Sequence, residues 1–266
     1  GKYSLDLSGK PLIMGILNVT PDSFSDGGRF FDPEKALKHA RKMADAGVDI
    51  IDIGGESTRP YADKVSLAEE LNRVVPVIEA VSKEIDLPVS VDTIKAEVAE
   101  QSVKAGASIV NDISSFSDPL MADVVVRTGV PVVLMHMKGT PSDMQDNPEY
   151  DDVVSDVCRF FDDIIEKAVQ KGIPKDQIIL DPGIGFGKTV QHNMQLINHL
   201  DRLKHMGFPV MIGASRKSFI RKKLRELSFY SEERSEHMIE TGTHAISALS
   251  VLKGADILRV HDVEGT

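Results

Sequence analysis

The chain has little of what defines several protein classes. It contains one cysteine in 266 residues, so an internal disulfide cannot form and a disulfide-stapled scaffold is excluded. Basic residues are also in deficit, since 31 Lys and Arg stand against 41 Asp and Glu and leave a net charge of −10. No Lys/Arg tract or aromatic-basic alternation occurs. We therefore expect neither nucleic acid nor an anionic membrane surface as a partner.

Long apolar runs are absent as well. No stretch approaches the roughly 18 apolar residues of a membrane span, and the first residues lack the basic-then-apolar order of a secretory signal. The single Cys158 fits a reducing compartment, so we expect a cytoplasmic location. Low-complexity tracts and Pro/Ser-rich linkers are missing too. Residues 1–266 are thus predicted to form one domain, and a content of 41% hydrophobic residues suffices for its core.

What the chain does have is a regular alternation of two patterns. Short runs rich in Val and Ile, typical of strands in a buried parallel sheet, alternate with longer segments of helical period. The eight predicted strands are residues 12–19, 48–53, 88–91, 108–113, 131–135, 177–180, 209–212 and 255–260. The predicted helices include residues 33–46, 67–85, 96–105, 151–171 and 194–205. Eight such units predict an α/β fold of the (β/α)8 TIM barrel type, with an open doubly wound sheet as the alternative.

Two further features support this register. Three helices end in a glycine directly before the next strand, at Gly47, Gly106 and Gly172, as a left-handed helix cap requires. The one irregular stretch, residues 222–240, is highly charged, and we expect an exposed loop followed by a helix there.

Polar residues follow every predicted strand. In a barrel these positions meet at one mouth, where active sites are built. In chain order they are Asn18, Asp52 to Arg59, Asp92, Asn111 with Asp112, His136, Asp181, Ser215 to Lys217, and Arg259 with His261. One such residue is often only a turn former. All eight predicted strands, however, are followed by polar residues, and these include carboxylates, amides and cations. Such a mixture indicates a site for a ligand that has a donor-rich face and an anionic tail.

Several catalytic motifs are nearly matched but fail at one position. DPGIGFGKT has Pro182 where a phosphate loop needs glycine, and Lys188 where the dinucleotide fingerprint needs its third glycine. GASRK lacks the last glycine of a serine-hydrolase elbow. The sequence contains neither an HExxH motif nor a pair of cysteines, so it does not predict a zinc site. A magnesium ion held by Asn18, phosphate oxygens and water would leave almost no trace in a sequence.

The motifs nevertheless follow the order of one known family. NVTPDSFSDGG at residues 18–28 and GGESTRP at 54–60 resemble the two mobile loops of dihydropteroate synthases. The motifs VDT, VNDIS, VLMHMKGTP, DPGIGFGK, SRKSF and RVHDV follow in the family's order, so the resemblance covers nearly the whole chain. It implies an eight-stranded barrel that condenses (7,8-dihydropterin-6-yl)methyl diphosphate with 4-aminobenzoate, giving 7,8-dihydropteroate and diphosphate in folate biosynthesis.

The resemblance also implies a role for individual residues. The pterin would be bound by Asp92, Asn111, Met135, Asp181, Phe186, Gly213 and Lys217. The diphosphate would lie among Asn18, Arg59, Arg259 and His261, with Mg²⁺ bridging its oxygens and Asn18. The 4-aminobenzoate pocket, where sulfonamides would compete, would be formed by Phe24, Asp26, Thr58, Pro60 and Ser218. Asp52, Asp112 and His136 also end strands but receive no contact.

From these roles we expect a reaction in which the protein supplies position and electrostatics and no nucleophile. Diphosphate would leave, the dihydropterin ring would stabilise the resulting cation, and the arylamine would attack, within loops that close over glycine hinges. Catalysis would depend on Asn18, Asp26, Arg59, Lys217, Arg259 and His261.

Two departures from the family pattern stand out. Tyr61 occupies a position where family members commonly carry glycine, which would stiffen the second loop. The sequence stops at Thr266, after the eighth predicted strand, where the family continues into a final helix. An apolar flank would then be exposed, and the homodimer that the family forms through late helices is in question.

Two other functions are compatible with parts of the pattern. A pterin-binding methyltransferase barrel would share the pterin-edge residues, but NVTPDSFSDGG argues against it. A non-catalytic pterin-binding protein predicts damage at Arg59, Lys217 or His261, and all three are intact.

Overall fold

The structure is a computed structural model that describes residues 2–20, 33–57, 64–139, 144 and 148–266. It contains eight strands: β1 Leu12–Asn18, β2 Ile50–Gly54, β3 Val89–Asp92, β4 Ile109–Asp112, β5 Val132–Met135, β6 Ile178–Asp181, β7 Met211–Ile212 and β8 Ile257–Val260. The helices of the described ranges are α1 Pro33–Asp45, α2 Leu67–Glu84, α3 Ala96–Ala105, α4 Met121–Thr128, α5 Val153–Gln170, α6 Val190–Asn198, α7 Leu200–Lys204, α8 Ser218–Leu224 and α9 Ser235–Leu252.

The strands close into a barrel. Seven pairings, all parallel, give the order β6-β5-β4-β3-β2-β1-β8-β7. A parallel bridge between Leu180 and Val210 joins β6 to the residue before β7 and completes the circle. The predicted barrel is confirmed, and the open doubly wound sheet is excluded because the two edge strands meet.

Local chemistry explains where the helices begin and end. The Ser66 hydroxyl accepts a hydrogen bond from the amide of Glu69 at the start of α2, and Asp152 caps α5 in the same way. Thr189 and His192 form a reciprocal capping box at the start of α6. At the other ends, Gly47, Gly106 and Gly172 have the positive φ that the sequence predicts. At Gly106 an added Cβ would also lie 2.6 Å from Cβ of Ser82.

The barrel interior is layered along its axis. Its amino-terminal layer is apolar and buried: Leu12, Met14, Ile50, Ile109, Val133, Ile179, Met211 and Ile257. Side chains alternate across a strand, so residues two and four positions later face the same interior. Two positions after Ile50, Ile109, Ile179 and Ile257, the strands carry Asp52, Asn111, Asp181 and Arg259. The apolar floor thus supports a polar layer at the carboxyl ends of the strands.

One element differs from the sequence prediction. Residues 194–205 form parts of two helices instead of one, because α6 ends at Asn198 and His199 adopts φ −115° and ψ 29° before α7 begins. The loop and helix expected in the charged stretch 222–240 are confirmed: the loop lies between α8 and a 3-10 turn at Glu232–Arg234, and the helix after it runs on to Leu252. Among the described residues, no helix is long and apolar enough to cross a membrane.

Candidate active site

A buried ion-pair network crosses the barrel interior. Nε of Arg259 donates to Oδ2 of Asp52 at 2.7 Å, and Nη2 donates to Oδ2 of Asp92, also at 2.7 Å. Asp52 is completely buried. Burial raises the pKa of Asp92 to about 7, with Arg259 opposing and Asp52 adding to the rise. Burial alone would lower the pKa of Arg259, but its two carboxylates raise it above the ordinary value, so the guanidinium stays charged.

Asn111 extends this network and keeps a buried acceptor without a partner among the described residues. Its Nδ2 donates to Oδ2 of Asp52 at 3.3 Å, which fixes the orientation of the amide. Oδ1 of Asn111 and Oδ1 of Asp52 are buried and have no hydrogen-bond partner within the described part of the chain. A buried acceptor without a partner costs free energy, about 1–3 kcal/mol, unless a ligand satisfies it. The pocket therefore offers oxygen atoms to a donor-rich ligand.

Asp181 supplies a further carboxylate on the next part of the wall. Its Oδ1 accepts a hydrogen bond from the amide of Gly183 at 2.7 Å, which anchors the side chain at the end of β6. Burial raises the pKa of Asp181 above its ordinary value, against the Gly183 hydrogen bond and the charges of Arg259 and Lys217. Gly213 faces the same space, because a Cβ built on it would lie 3.8 Å from Oδ2 of Asp181 and 3.8 Å from Arg259.

A cation and an apolar wall complete the pocket. Nζ of Lys217 lies 3.7 Å from the centroid of the Phe186 ring, a cation–π contact. Burial lowers the pKa of Lys217 to about 8, and Arg259 adds to this while Asp181 and Asp92 oppose it. Phe186 belongs to a buried cluster with Ile113, Met135 and Met144. Such a wall is suited to a flat ring.

A buried lysine, Lys188, contacts the backbone of Phe186. Nζ of Lys188 lies 2.9 Å from Nδ1 of His136 and donates to the carbonyls of His136 and Phe186 at 3.1 and 2.9 Å. Burial lowers the pKa of Lys188 to about 7 and that of His136 to about 3, so the imidazole is neutral and Nδ1 accepts. This pair fixes the backbone that carries Phe186.

The predicted anion-binding residues lie in two places. The Ser215 hydroxyl and Nδ1 of His261 are 2.9 Å apart, and the amide of His261 also donates to that hydroxyl. Arg259, predicted to act beside His261, instead contacts the carboxylates deeper in the barrel. Asn18 is half-buried at the end of β1, in register with Gly54. Ser218 is exposed at the start of α8, as predicted for a helix start.

The base of the second predicted loop is held by another network. Lys95 pairs with both Glu56 and Glu70, and Glu70 also accepts from the Thr93 hydroxyl at 2.6 Å. Nη1 of Arg73 donates to the carbonyl of Gly55 at 2.7 Å. These contacts anchor the loop where it leaves β2. Phe24, Asp26, Thr58, Arg59, Pro60 and Tyr61 lie outside the described residues.

The three strand-end residues to which the sequence assigns no ligand contact have three different surroundings in the structure. Asp52 joins Arg259 and Asn111 in the pocket. Asp112 accepts from the amides of Ser114 and Phe116 and serves the turn after β4. His136 pairs with Lys188 behind the pocket wall. Residue spacing alone distinguishes them, since Asp52 follows Ile50 by two positions and so faces the interior.

The site is thus an acidic and amide-lined pocket beside an aromatic side chain, at the carboxyl ends of the strands of a parallel barrel. The model of the family "Pterin binding enzyme" matches residues 14–261. The dihydropteroate synthase of Escherichia coli strain K12 is 48% identical over 263 residues, which are 99% of this chain and 90% of that protein.

Solved structures agree. The Yersinia pestis dihydropteroate synthase in a sulfonamide drug complex has a TM-score of 0.90 at 48% identity, covering 99% of this chain and 93% of that chain. The Xanthomonas albilineans enzyme in complex with 7,8-dihydropteroate has a TM-score of 0.86 at 43% identity, covering 98% and 91%. The chain belongs to the dihydropteroate synthase family.

Proposed function

We propose that the interior pocket binds the pterin ring by its amino-pyrimidine edge in the condensation that forms 7,8-dihydropteroate. Asp92, Asn111 and Asp181 supply acceptors to the ring N–H groups, and Lys217 donates to the carbonyl side. The ring lies against Met135 and Phe186, and Gly213 leaves room for it. The observation that carries this proposal is the buried, unpartnered Oδ1 of Asn111, aimed by its bond to Asp52.

The diphosphate lies toward the mouth of the barrel. His261 is held there by Ser215, Asn18 ends β1, and Arg59 follows β2 in the sequence. Arg259 lies beneath, and its fixed fork of donors can bind ring or phosphate oxygens once a ligand competes for Asp92.

The protein supplies position and charge to the reaction. The bond between the pterin methylene carbon and the diphosphate oxygen breaks with its electron pair leaving on oxygen, and the arylamine nitrogen then bonds to that carbon and loses a proton. Cations at the diphosphate stabilise the negative charge that develops, an effect that is large in a site that excludes water. Phe24, Asp26, Thr58, Pro60 and Ser218 hold the 4-aminobenzoate.

Magnesium fits the residues at the mouth. The Asn18 side-chain oxygen is a ligand type that Mg²⁺ accepts, and the diphosphate oxygens and water would complete its shell. When bound, the ion would neutralise charge on the leaving diphosphate. The carboxylates of Asp52 and Asp92 are not needed for it, since both pair with Arg259. The homodimer and the cytoplasmic location stay predictions.

The reaction itself is tested with the protein, (7,8-dihydropterin-6-yl)methyl diphosphate, 4-aminobenzoate and Mg²⁺. We expect equal amounts of diphosphate and 7,8-dihydropteroate, and no product without the arylamine. Omitting Mg²⁺ in the presence of a chelator should slow the reaction strongly. Diphosphate release that does not depend on the arylamine would contradict the proposal.

A further inference from the structure

We propose that Glu240, His244 and Asp262 form a binding site for a divalent transition metal, with Zn²⁺ as its reference ion, outside the pterin pocket. Glu240 and His244 lie one turn apart on α9, and Asp262 follows β8. The site matches no contiguous zinc motif, because its ligands come from two elements that only the fold brings together.

The three ligand atoms are already close to one another. Nε2 of His244 lies 3.2 Å from Oδ2 of Asp262 and 4.0 Å from Oε1 of Glu240, and all three atoms lie within 4.8 Å of one another. Ligands of a tetrahedral zinc ion with bonds of about 2.0–2.1 Å are about 3.3 Å apart. One pair therefore has that spacing, and small side-chain rotations bring in the third atom.

Two of these atoms lack any other partner. Oε1 of Glu240 and Nε2 of His244 are buried and make no hydrogen bond within the described residues. Apart from the contacts among the three residues themselves, these two atoms have no partner in the described part of the chain, and a cation would satisfy them together.

The outer oxygen of each carboxylate is held in place. Oε2 of Glu240 accepts from Nε of Arg216 at 2.7 Å, and Oδ1 of Asp262 accepts from the amide of Gly265 at 3.1 Å. Such outer contacts orient metal ligands and typically matter 10–100-fold for affinity. They leave Oε1 and Oδ2 turned toward the imidazole.

The backbone at Gly265 passes close to two of the three ligands. A Cβ on Gly265 would lie 2.3 Å from Oδ2 of Asp262 and 2.7 Å from the His244 ring, so a larger residue would collide with two of the three ligands. With three protein ligands, a fourth position remains for water or a substrate oxygen, as in open zinc sites. A bound ion would tie α9 to the segment that carries His261.

The competing explanation is an ion pair between a protonated His244 and the two carboxylates. Binding of Zn²⁺ alone distinguishes the two, without substrates and so independently of the proposed reaction. Chelator-treated, desalted protein is titrated with ZnCl₂ by calorimetry, and with Co²⁺ while its visible absorption is recorded. We expect one ion per chain, a tetrahedral Co²⁺ spectrum that Zn²⁺ abolishes, and a higher melting temperature with Zn²⁺.

Variants locate the ion. His244→Gln and Asp262→Asn should each weaken Zn²⁺ binding about tenfold or more, and Glu240→Gln serves if either fails to fold by circular dichroism. His237→Gln removes an exposed histidine of the same helix and should bind like the unmodified protein. Absence of one-to-one binding, or binding that these ligand substitutions leave unchanged, would overturn the proposal.

Discussion

Nη2 of Arg259 lies 2.7 Å from Oδ2 of Asp92, although β8 and β3 are separated by two strands in the barrel. The contact therefore crosses the interior. It joins a cation predicted to bind the diphosphate to a carboxylate predicted to bind the pterin. Asp52, on β2, accepts a second hydrogen bond from the same guanidinium. The pocket pairs Arg259 with two of its own carboxylates, so substrate binding must exchange some of these contacts for contacts with the substrate.

The first prediction concerns the stability that this network provides. Arg259→Met should lower the free energy of unfolding by about 3 kcal/mol or more, since removal of one partner leaves buried carboxylates without compensation. Urea unfolding measures it. Arg225→Met breaks the exposed pair with Glu232 and should cost less than about 1 kcal/mol. Equal losses in the two variants would show that the interior pair has no special role.

The second prediction is a pH dependence. The pKa of Asp92 is raised to about 7 from an ordinary 3.8, so between these values the folded state binds more protons than the unfolded state. Stability contributed by the protonated carboxyl is thus complete below about pH 4 and lost as pH rises through about 7. Asp92→Asn cannot titrate. The unfolding free energy of the unmodified protein, minus that of Asp92→Asn, should fall from pH 4 to 7 by at most about 1.4 kcal/mol per unit; a rise would refute this.

The third prediction uses the space above Gly213. A methyl group there meets atoms no closer than 3.8 Å, so Gly213→Ala should fold with little change in melting temperature. The methyl group would nevertheless occupy the space between Asp181 and Arg259. We expect pterin affinity to fall about tenfold, the equivalent of about 1.4 kcal/mol. Gly9→Ala, with no atom within 4 Å, is the control; unchanged affinity in Gly213→Ala would place the ring elsewhere.

Much of the fold could be predicted because each strand is a short apolar run between helical segments. Each of the eight strands begins and ends within two residues of its predicted bounds, and the barrel follows from the number and order of the strands. The break at His199 could not be predicted, because the apolar spacing of residues 194–205 continues across it. The structure nevertheless separates α6 from α7 at His199.

The residues of the active site could likewise be predicted only in part. Strand alternation assigns Asp52, Asn111, Asp181 and Arg259 to the interior face, and applied strictly it would have included Asp52 and set Asp112 and His136 aside. The pairing of Arg259 with Asp92 could not be read from spacing, since it joins strands that are not neighbours. Lys188 belongs to DPGIGFGKT, the motif that fails as a phosphate loop. Its contact with His136 could not be predicted from the sequence, because the two lie 52 positions apart and only the fold brings them together.

The division of the site into a pterin pocket and an arylamine pocket is tested most directly by calorimetric titration of the dihydropterin diphosphate into two variants. Asp181→Ala removes a buried acceptor of the pterin edge and should abolish measurable binding. Phe24→Ala, in the loop assigned to 4-aminobenzoate, should keep pterin affinity within about threefold, less than 1 kcal/mol, yet slow condensation. An equal loss of pterin affinity in both variants would contradict the account.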